Sequence, residues 1–199
     1  TVSYASSNAA VNVNLALTTA QTGGHAAGDT LFSIENIIGS AYNDTITGSL
    51  VANNINGGAG ADTVSYSNSN AAVNVNLGVT TAQTGGYAAG DILTSIENLI
   101  GSNYNDTLTS SSVANNINGG NGIDTVSYAI SNAGINVNLA LTTAQAGGHA
   151  AGDILSGSEN IIGSAFADTL AGNSVANNLN GGAGFDTVSY AISNAGINV

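Results

Sequence analysis

Cysteine, proline, methionine, tryptophan, lysine and arginine are all missing from the 199 residues. Each absence removes a class of explanation. Without cysteine there is neither a disulfide framework nor a thiolate metal site, so a chain with 27 glycines must be crosslinked in some other way. Without lysine or arginine, and with 12 acidic residues giving a net charge of −12, the chain has nothing to displace the counterions of nucleic acid or to dock on an anionic membrane surface. No apolar run approaches the roughly 18 residues that insertion into a membrane as a helix requires. Multivalent cations are the partners that such a charge attracts. Disorder is not implied, because only 6% of residues are charged, 43% are hydrophobic, and the apolar positions recur regularly.

What is present is one unit repeated. Thr1-Val2-Ser3-Tyr4 returns at Thr63, Thr125 and Thr187, a spacing of 62 residues. This defines repeats at 1–62, 63–124 and 125–186 and a partial fourth at 187–199. A fixed period of this kind signals an array whose neighbouring units cover one another's faces, hence one continuous solenoid and not separate domains. With no starting Met and a stop in mid-pattern, the chain reads as a slice of something longer.

Residues 30–65 divide into four blocks of nine: TLFSIENII, GSAYNDTIT, GSLVANNIN and GGAGADTVS. The sixth place holds Glu35, Asp44, Asn53 and Asp62, and the eighth holds Ile37, Ile46, Ile55 and Val64. Short strands centred on one apolar residue, alternating with turn signals such as Asn56-Gly57, point to β structure. A helix would lose about 0.5–1 kcal/mol at each glycine or asparagine, and no 3.6-residue stripe is present. The other 26 residues of a unit, for example 66–91, break the rhythm, although Val73, Val75 and Leu77 still alternate with asparagine. They are expected to form one enlarged coil with a protruding loop. With nine residues per half coil, the expected fold is an all-β parallel β-solenoid of about three coils per repeat, advancing about 14 Å per unit at ~4.8 Å per strand.

Residues 18 apart then lie one coil apart on the same edge. This stacks Asp44 on Asp62, Asp106 on Asp124 and Asp168 on Asp186. The blocks GGAGADTVS, GGNGIDTVS and GGAGFDTVS fit GGxGxDxUx, with U apolar, a nine-residue pattern of calcium-binding β-solenoids. Gly57, Gly60, Gly119, Gly122, Gly181 and Gly184 let the backbone turn tightly and aim carbonyls inward. Two stacked carboxylates repel unless a cation joins them. Calcium, which accepts 6 to 8 oxygens in flexible geometry, suits the gap better than octahedral magnesium. At least one Ca2+ per unit is expected. On the opposite edge, Glu35 with Asn53, Glu97 with Asn115 and Glu159 with Asn177 serve either as further ligands or as hydrogen-bond partners of the turn backbone. Asp29, Asp91 and Asp153, which follow the GGHAAG-type loops, are either ligands or loop caps.

Taken together, TVSY, VNVNL, GGHAAGD, SIENIIGS, NDT and NNINGGAGAD resemble the long repeats of large secreted bacterial RTX-type proteins and adhesins, and the C-terminal region of serralysin-type metalloproteases. That resemblance implies a right-handed parallel β-roll, export by a type I system and folding outside the cell when calcium is met. Two departures matter: one block in four has the full glycine pattern, and Asn53, Asn115 and Asn177 replace the acid, so fewer ions per residue are expected.

Other constellations carry less. His25 and His149 share a repeat position that Tyr87 fills in the second copy, which suits a surface loop better than a catalytic or zinc ligand. No HExxH or nucleophile arrangement can be assembled, so no enzyme is expected. Asn43-Asp44-Thr45 and Asn105-Asp106-Thr107 are formal glycosylation sequons, but read as turn chemistry. Tyr4, Tyr66, Tyr128 and Tyr190 form a repeated aromatic position, expected inside or at the rim of the coil. Outward Thr45, Thr47 and Thr63 leave ice binding as a minor alternative. The function expected is an extracellular or cell-surface calcium-binding rod, filament or surface-layer element that self-associates end to end. The alternative is a calcium-dependent folding or extension module of a secreted adhesin or enzyme.

Overall fold

Strands of two or three residues with one or two apolar side chains each cannot stand alone; they acquire a core only by stacking. In the computed structural model, which describes residues 1–191 and 193, they do so throughout. Asn54–Asn56, Thr63–Ser65 and Asn74–Asn76 each carry polar residues on either side of an apolar centre. Side chains alternate between the two sides of a strand, so the central one turns inward. Ile46, Ile55, Val64, Val75, Leu99, Leu108 and Ile117 are all fully buried in one continuous core. The fold is an all-β parallel β-solenoid.

The nonapeptide blocks stack as their period requires. Thr45–Thr47 pairs in parallel with Thr63–Ser65, and Asn36–Ile38 with Asn54–Asn56, each in an 18-residue register. The chain crosses between the two faces of the solenoid at every block.

The 26-residue segment departs from the expectation of an enlarged coil with a protruding loop. Asn74–Asn76 lies on one face, and the chain then doubles back on that same face. Thr84 forms an antiparallel bridge with Asn74, and the peptide groups of Gln83, Gly90 and Asp91 bond in the same sense. A second reversal, through the short 3-10 turn Gly86–Ala88, brings Ile92–Thr94 onto Asn54–Asn56 of the preceding unit. Three passes are thus laid side by side within one wall. The reason lies at Gln83, which is buried at 4% exposure. Its side-chain amide replaces a peptide: Asn76 N–H donates to Gln83 Oε1 at 2.7 Å, and Gln83 Nε2 donates to the carbonyls of Asn76 and Thr81. Gln21 and Gln145 repeat the arrangement with Asn14 and Asn138.

The zigzag changes the symmetry. Because three passes share one face, a unit crosses between faces an odd number of times and completes about two and a half coils, not three. The opening strands Val2–Ser3, Thr63–Ser65, Thr125–Ser127 and Thr187–Val188 therefore fall on alternate faces. Seven passes divided over two faces advance each unit about 17 Å at ~4.8 Å per strand.

Two further expectations meet the structure here. Tyr4, Tyr66 and Tyr128 lie inside the coil, buried, whereas Tyr190 is exposed. The outward threonine row is partly closed: Thr47 stands between Asn14 and Ser65 in register and is buried, whereas Thr45 and Thr63, paired with each other, are half-buried.

Replacing Gln83 by leucine preserves volume but removes the partner of the Asn76 N–H and C=O in a half-buried position. Equilibrium urea unfolding is expected to show a loss of about 1–3 kcal/mol; an unchanged midpoint would mean that the amide is not structural.

Candidate metal centre

The sixth-place residues line the two edges where the chain crosses between faces, and each is tied to the coil next to it. On one edge the order is Val11, Asp44, Asp62, Glu97, Asn115, Asp153. Val11 N–H donates to Asp44 Oδ1 at 2.7 Å, Asp44 N–H to Asp62 Oδ1 at 2.7 Å, and Asp62 N–H to Glu97 Oε2 at 2.9 Å. Asn115 continues the column by donating its Nδ2 to the Glu97 carbonyl and its N–H to Asp153 Oδ1. The opposite edge repeats the ladder through Val73, Asp106, Asp124, Glu159 and Asn177. Below that ladder Asn53 joins the Glu35 carbonyl to Asp91.

The two kinds of aspartate turn treat their carboxylates differently. In the Gly-Ser turns the second residue closes the acid from within. Ser40 N–H and Oγ both donate to Asp44, Ser102 does the same for Asp106, and Ser164 for Asp168. With the N–H of Val11, Val73 or Ile135 added, each of these carboxylates has three donors. In the Gly-Gly turns the second residue, Gly58, sits at φ +105, a backbone state open to glycine. Its N–H is turned away to Asn56 Oδ1, so Asp62 receives nothing from its own turn. Asp62 Oδ2 and Asp124 Oδ2 are buried with no hydrogen-bond partner. Spacing brought Asp44 and Asp62 to one edge, but only the second keeps an open oxygen.

That open oxygen lies beside its turn glycine and a carbonyl of the neighbouring coil. A Cβ built on Gly57 would overlap the Ser95 carbonyl oxygen and stand 2.5 Å from Asp62 Oδ2. A Cβ on Gly119 would overlap the Gly157 carbonyl oxygen and stand 2.6 Å from Asp124 Oδ2. Gly60 and Gly122 face the backbone of Tyr42 and Tyr104, where a Cβ would stand under 3 Å from it. Gly181 and Gly184 shape the third turn, whose Asp186 Oδ1 accepts from Asp168 N–H and which is exposed. Among the described residues no three His, Asp or Glu side chains converge as a metal cluster. A hard cation fits here through one open carboxylate oxygen supplemented by carbonyls, the donor set that calcium accepts.

The remaining sites have internal partners. Asn53 Oδ1 accepts from Ser49 N–H at 2.6 Å, and Asn115 and Asn177 bond Ser111 and Asn173 in the same way. Asp29, Asp91 and Asp153 each accept the hydroxyl of Tyr4, Tyr66 or Tyr128 at 2.9–3.0 Å. Glu35 is exposed. His25 is exposed, and the backbone N–H groups of His25, Tyr87 and His149 donate to Ser7, Ser69 and Ser131. Stacking of Glu97 on Asp62 and of Glu159 on Asp124, 35 residues apart, is not visible in the 18-residue spacing. The shared sixth place in the nonapeptide blocks is the signal for it.

Burial without a counter-charge shows in the proton affinities. Desolvation lifts the Asp62 and Asp124 carboxyls to about 6, assisted by Asp44 with Glu97 and Asp106 with Glu159, and opposed by the backbone N–H bonds. Desolvation also raises Asp91 to about 6, against the opposing bonds from Asn53 and Tyr66, and raises Asp153. The Tyr4 hydroxyl is pushed up to about 12 by burial and by Asp29.

A carboxyl whose folded pKa lies above its unfolded value of about 3.9 binds protons more tightly when folded, so its contribution to stability is lost as pH rises. For Asp91 the window runs from about 4 to about 6. In EGTA the melting temperature is expected to rise as pH falls from 7 to 5, and Asp91→Asn to flatten that rise. A melting temperature that falls on acidification would contradict the assignment.

The sequence profile of the RTX calcium-binding nonapeptide repeat (4 copies) matches residues 33–64, 94–126 and 153–188, just over half of the chain. The matched segments span the Gly-Ser, Asn and Gly-Gly turns and leave out most of each zigzag. No match to a curated protein is found. Calcium binding is a property of the family so defined, and the chain belongs to the family of RTX calcium-binding nonapeptide repeats.

Proposed function

We propose that this chain is a length of an extracellular β-solenoid with a structural role, stiffened by calcium and without catalytic chemistry of its own. The observation that carries this reading is the pair of buried, unpartnered carboxylate oxygens, Asp62 Oδ2 and Asp124 Oδ2, each beside a glycine turn. With 12 acidic residues and no lysine or arginine, the chain has no strong cation of its own to set against them. When bound, calcium would supply the missing positive charge.

Asp62, Asp124 and, at the same repeat position, Asp186 are the carboxylates proposed to hold the ion. The turns through Gly57 and Gly60, Gly119 and Gly122, and Gly181 and Gly184 present carbonyls to it. Asp44, Asp106 and Asp168 keep each glycine turn in register through their N–H groups. Extracellular calcium modules work at about 10⁻⁴–10⁻³ M, so such sites stay empty inside a cell and fill outside it. That difference supports a secreted or cell-surface setting, in which stacked units make a rod and copies join end to end.

Circular dichroism melts in excess CaCl2, MgCl2 or EGTA test the reading. Each ion present at about 100 times its Kd adds about 2.7 kcal/mol. The melting temperature is therefore expected to rise strongly with calcium, little with magnesium, and to fall back with EGTA. Superimposable melts in all three would overturn it.

A further inference from the structure

The entrance to each Gly-Gly turn is an Asn-Gly pair in one local sequence: Asn54-Ile55-Asn56-Gly57-Gly58, Asn116-Ile117-Asn118-Gly119-Gly120 and Asn178-Leu179-Asn180-Gly181-Gly182. The reactivity of the asparagine amide has no part in the core or in the metal centre. We infer that these pairs are self-modification sites, set to deamidate through a cyclic imide, and that a ladder bond to the returning strand of the following zigzag holds them inert.

The amide is prepared as an electrophile. Gly58 N–H donates to Asn56 Oδ1 at 3.1 Å, Gly120 N–H to Asn118 Oδ1 at 3.1 Å and Gly182 N–H to Asn180 Oδ1 at 3.0 Å. A donor on that oxygen stabilises the negative charge that builds there when Cγ is attacked. The attacking atom is the backbone nitrogen of the next residue, and glycine puts no side chain in its way. Hydroxide removes the proton from that nitrogen, the nitrogen bonds to the asparagine Cγ, and the Cγ–Nδ2 bond breaks, ammonia leaving with a proton taken from water. Water then opens the imide at one of its two carbonyls and leaves aspartate or isoaspartate. Water and hydroxide are the only co-reactants.

What differs among the three pairs is the state of the nitrogen. Gly57 N–H donates to the Thr94 carbonyl at 3.0 Å and Gly119 N–H to the Ser156 carbonyl at 2.9 Å. Both acceptors belong to the strand by which a zigzag returns to the stack, Ile92–Thr94 on Asn54–Asn56 and Ile154–Ser156 on Asn116–Asn118. This bond holds the proton that must leave and fixes the peptide plane in the ladder, so the imide forms only when the strands part locally. Gly57 and Gly119 are buried. Asn178–Asn180 pairs with Asn160–Ile162 alone, and Gly181 N–H meets no carbonyl among the described residues. Gly181 is half-buried and Asn180 exposed. On the other side the ladder is the same in all three, since the N–H groups of Gly39, Gly101 and Gly163 donate to the carbonyls of Asn56, Asn118 and Asn180. The covering strand is therefore the variable in a matched set. Isoaspartate at an uncovered turn adds a backbone atom and a negative charge just before the glycines, so the chain keeps a chemical record of which turns a following unit covers. A further pair, Asn121-Gly122, is set apart, because the N–H of Ile123 is given to Asn105 Oδ1 and not to the Asn121 amide.

Incubation of the folded chain in mildly alkaline buffer with CaCl2 tests the inference, with each asparagine read by tandem mass spectrometry, which separates Asn118 from Asn121. Asn180 is expected to convert at least about tenfold faster than Asn56 and Asn118, whose reaction waits on local opening. In concentrated urea the three are expected to converge on a common rate, because their local sequences match. Amide hydrogen exchange of the folded chain is expected to find the N–H of Gly57 and Gly119 protected and that of Gly181 exchanging freely. Equal conversion of the three asparagines in the folded chain would overturn the inference, as would a rate order that persists in urea, or exchange at Gly57 and Gly119 as fast as at Gly181.

Discussion

A buried carboxylate that accepts the backbone N–H of the neighbouring coil is the contact on which this solenoid depends. Strands of two or three residues contribute few ladder bonds, and the turns at the coil edges would otherwise bury N–H groups without acceptors. Placing an acid at the sixth position of a block answers that need: Asp44 serves Val11, Asp62 serves Asp44, and Glu97 serves Asp62. The cost is a column of negative charge in a chain without lysine or arginine. Two remedies appear in every unit. Serine closes one aspartate from within, and a glycine at positive φ leaves the other open for an external cation.

Much of this was legible in the sequence. The period of 62, the blocks of nine, and the apolar eighth place identify the parallel stack, its core and the pairing of Asp44 with Asp62 on one edge. What the sequence did not disclose is the path of the zigzag. Its alternating Val73, Val75 and Leu77 describe a strand but not whether the next pass crosses to the other face, and that choice depends on Gln83 substituting for a peptide group. Once the crossing number is mistaken, Glu97 cannot be placed on Asp62. The difference between Gly-Ser and Gly-Gly turns was likewise present in the letters. It became chemical only when the N–H of Gly58 was seen to point away from Asp62.

The odd number of crossings gives the array a property that a plain nonapeptide roll lacks. Equivalent features of successive units fall on opposite faces, so open aspartates alternate between the two edges about every 17 Å. Charge is thereby distributed along both edges, which reduces repulsion between neighbouring carboxylates.

Anomalous diffraction from crystals grown with calcium addresses the central claim most directly, since it locates ions without reference to any fold-based expectation. The account predicts peaks beside Asp62 Oδ2 and Asp124 Oδ2, and none inside the Gly-Ser turns that hold Asp44 and Asp106. Peaks at those serine-closed turns, or no peak at either Gly-Gly turn, would contradict it.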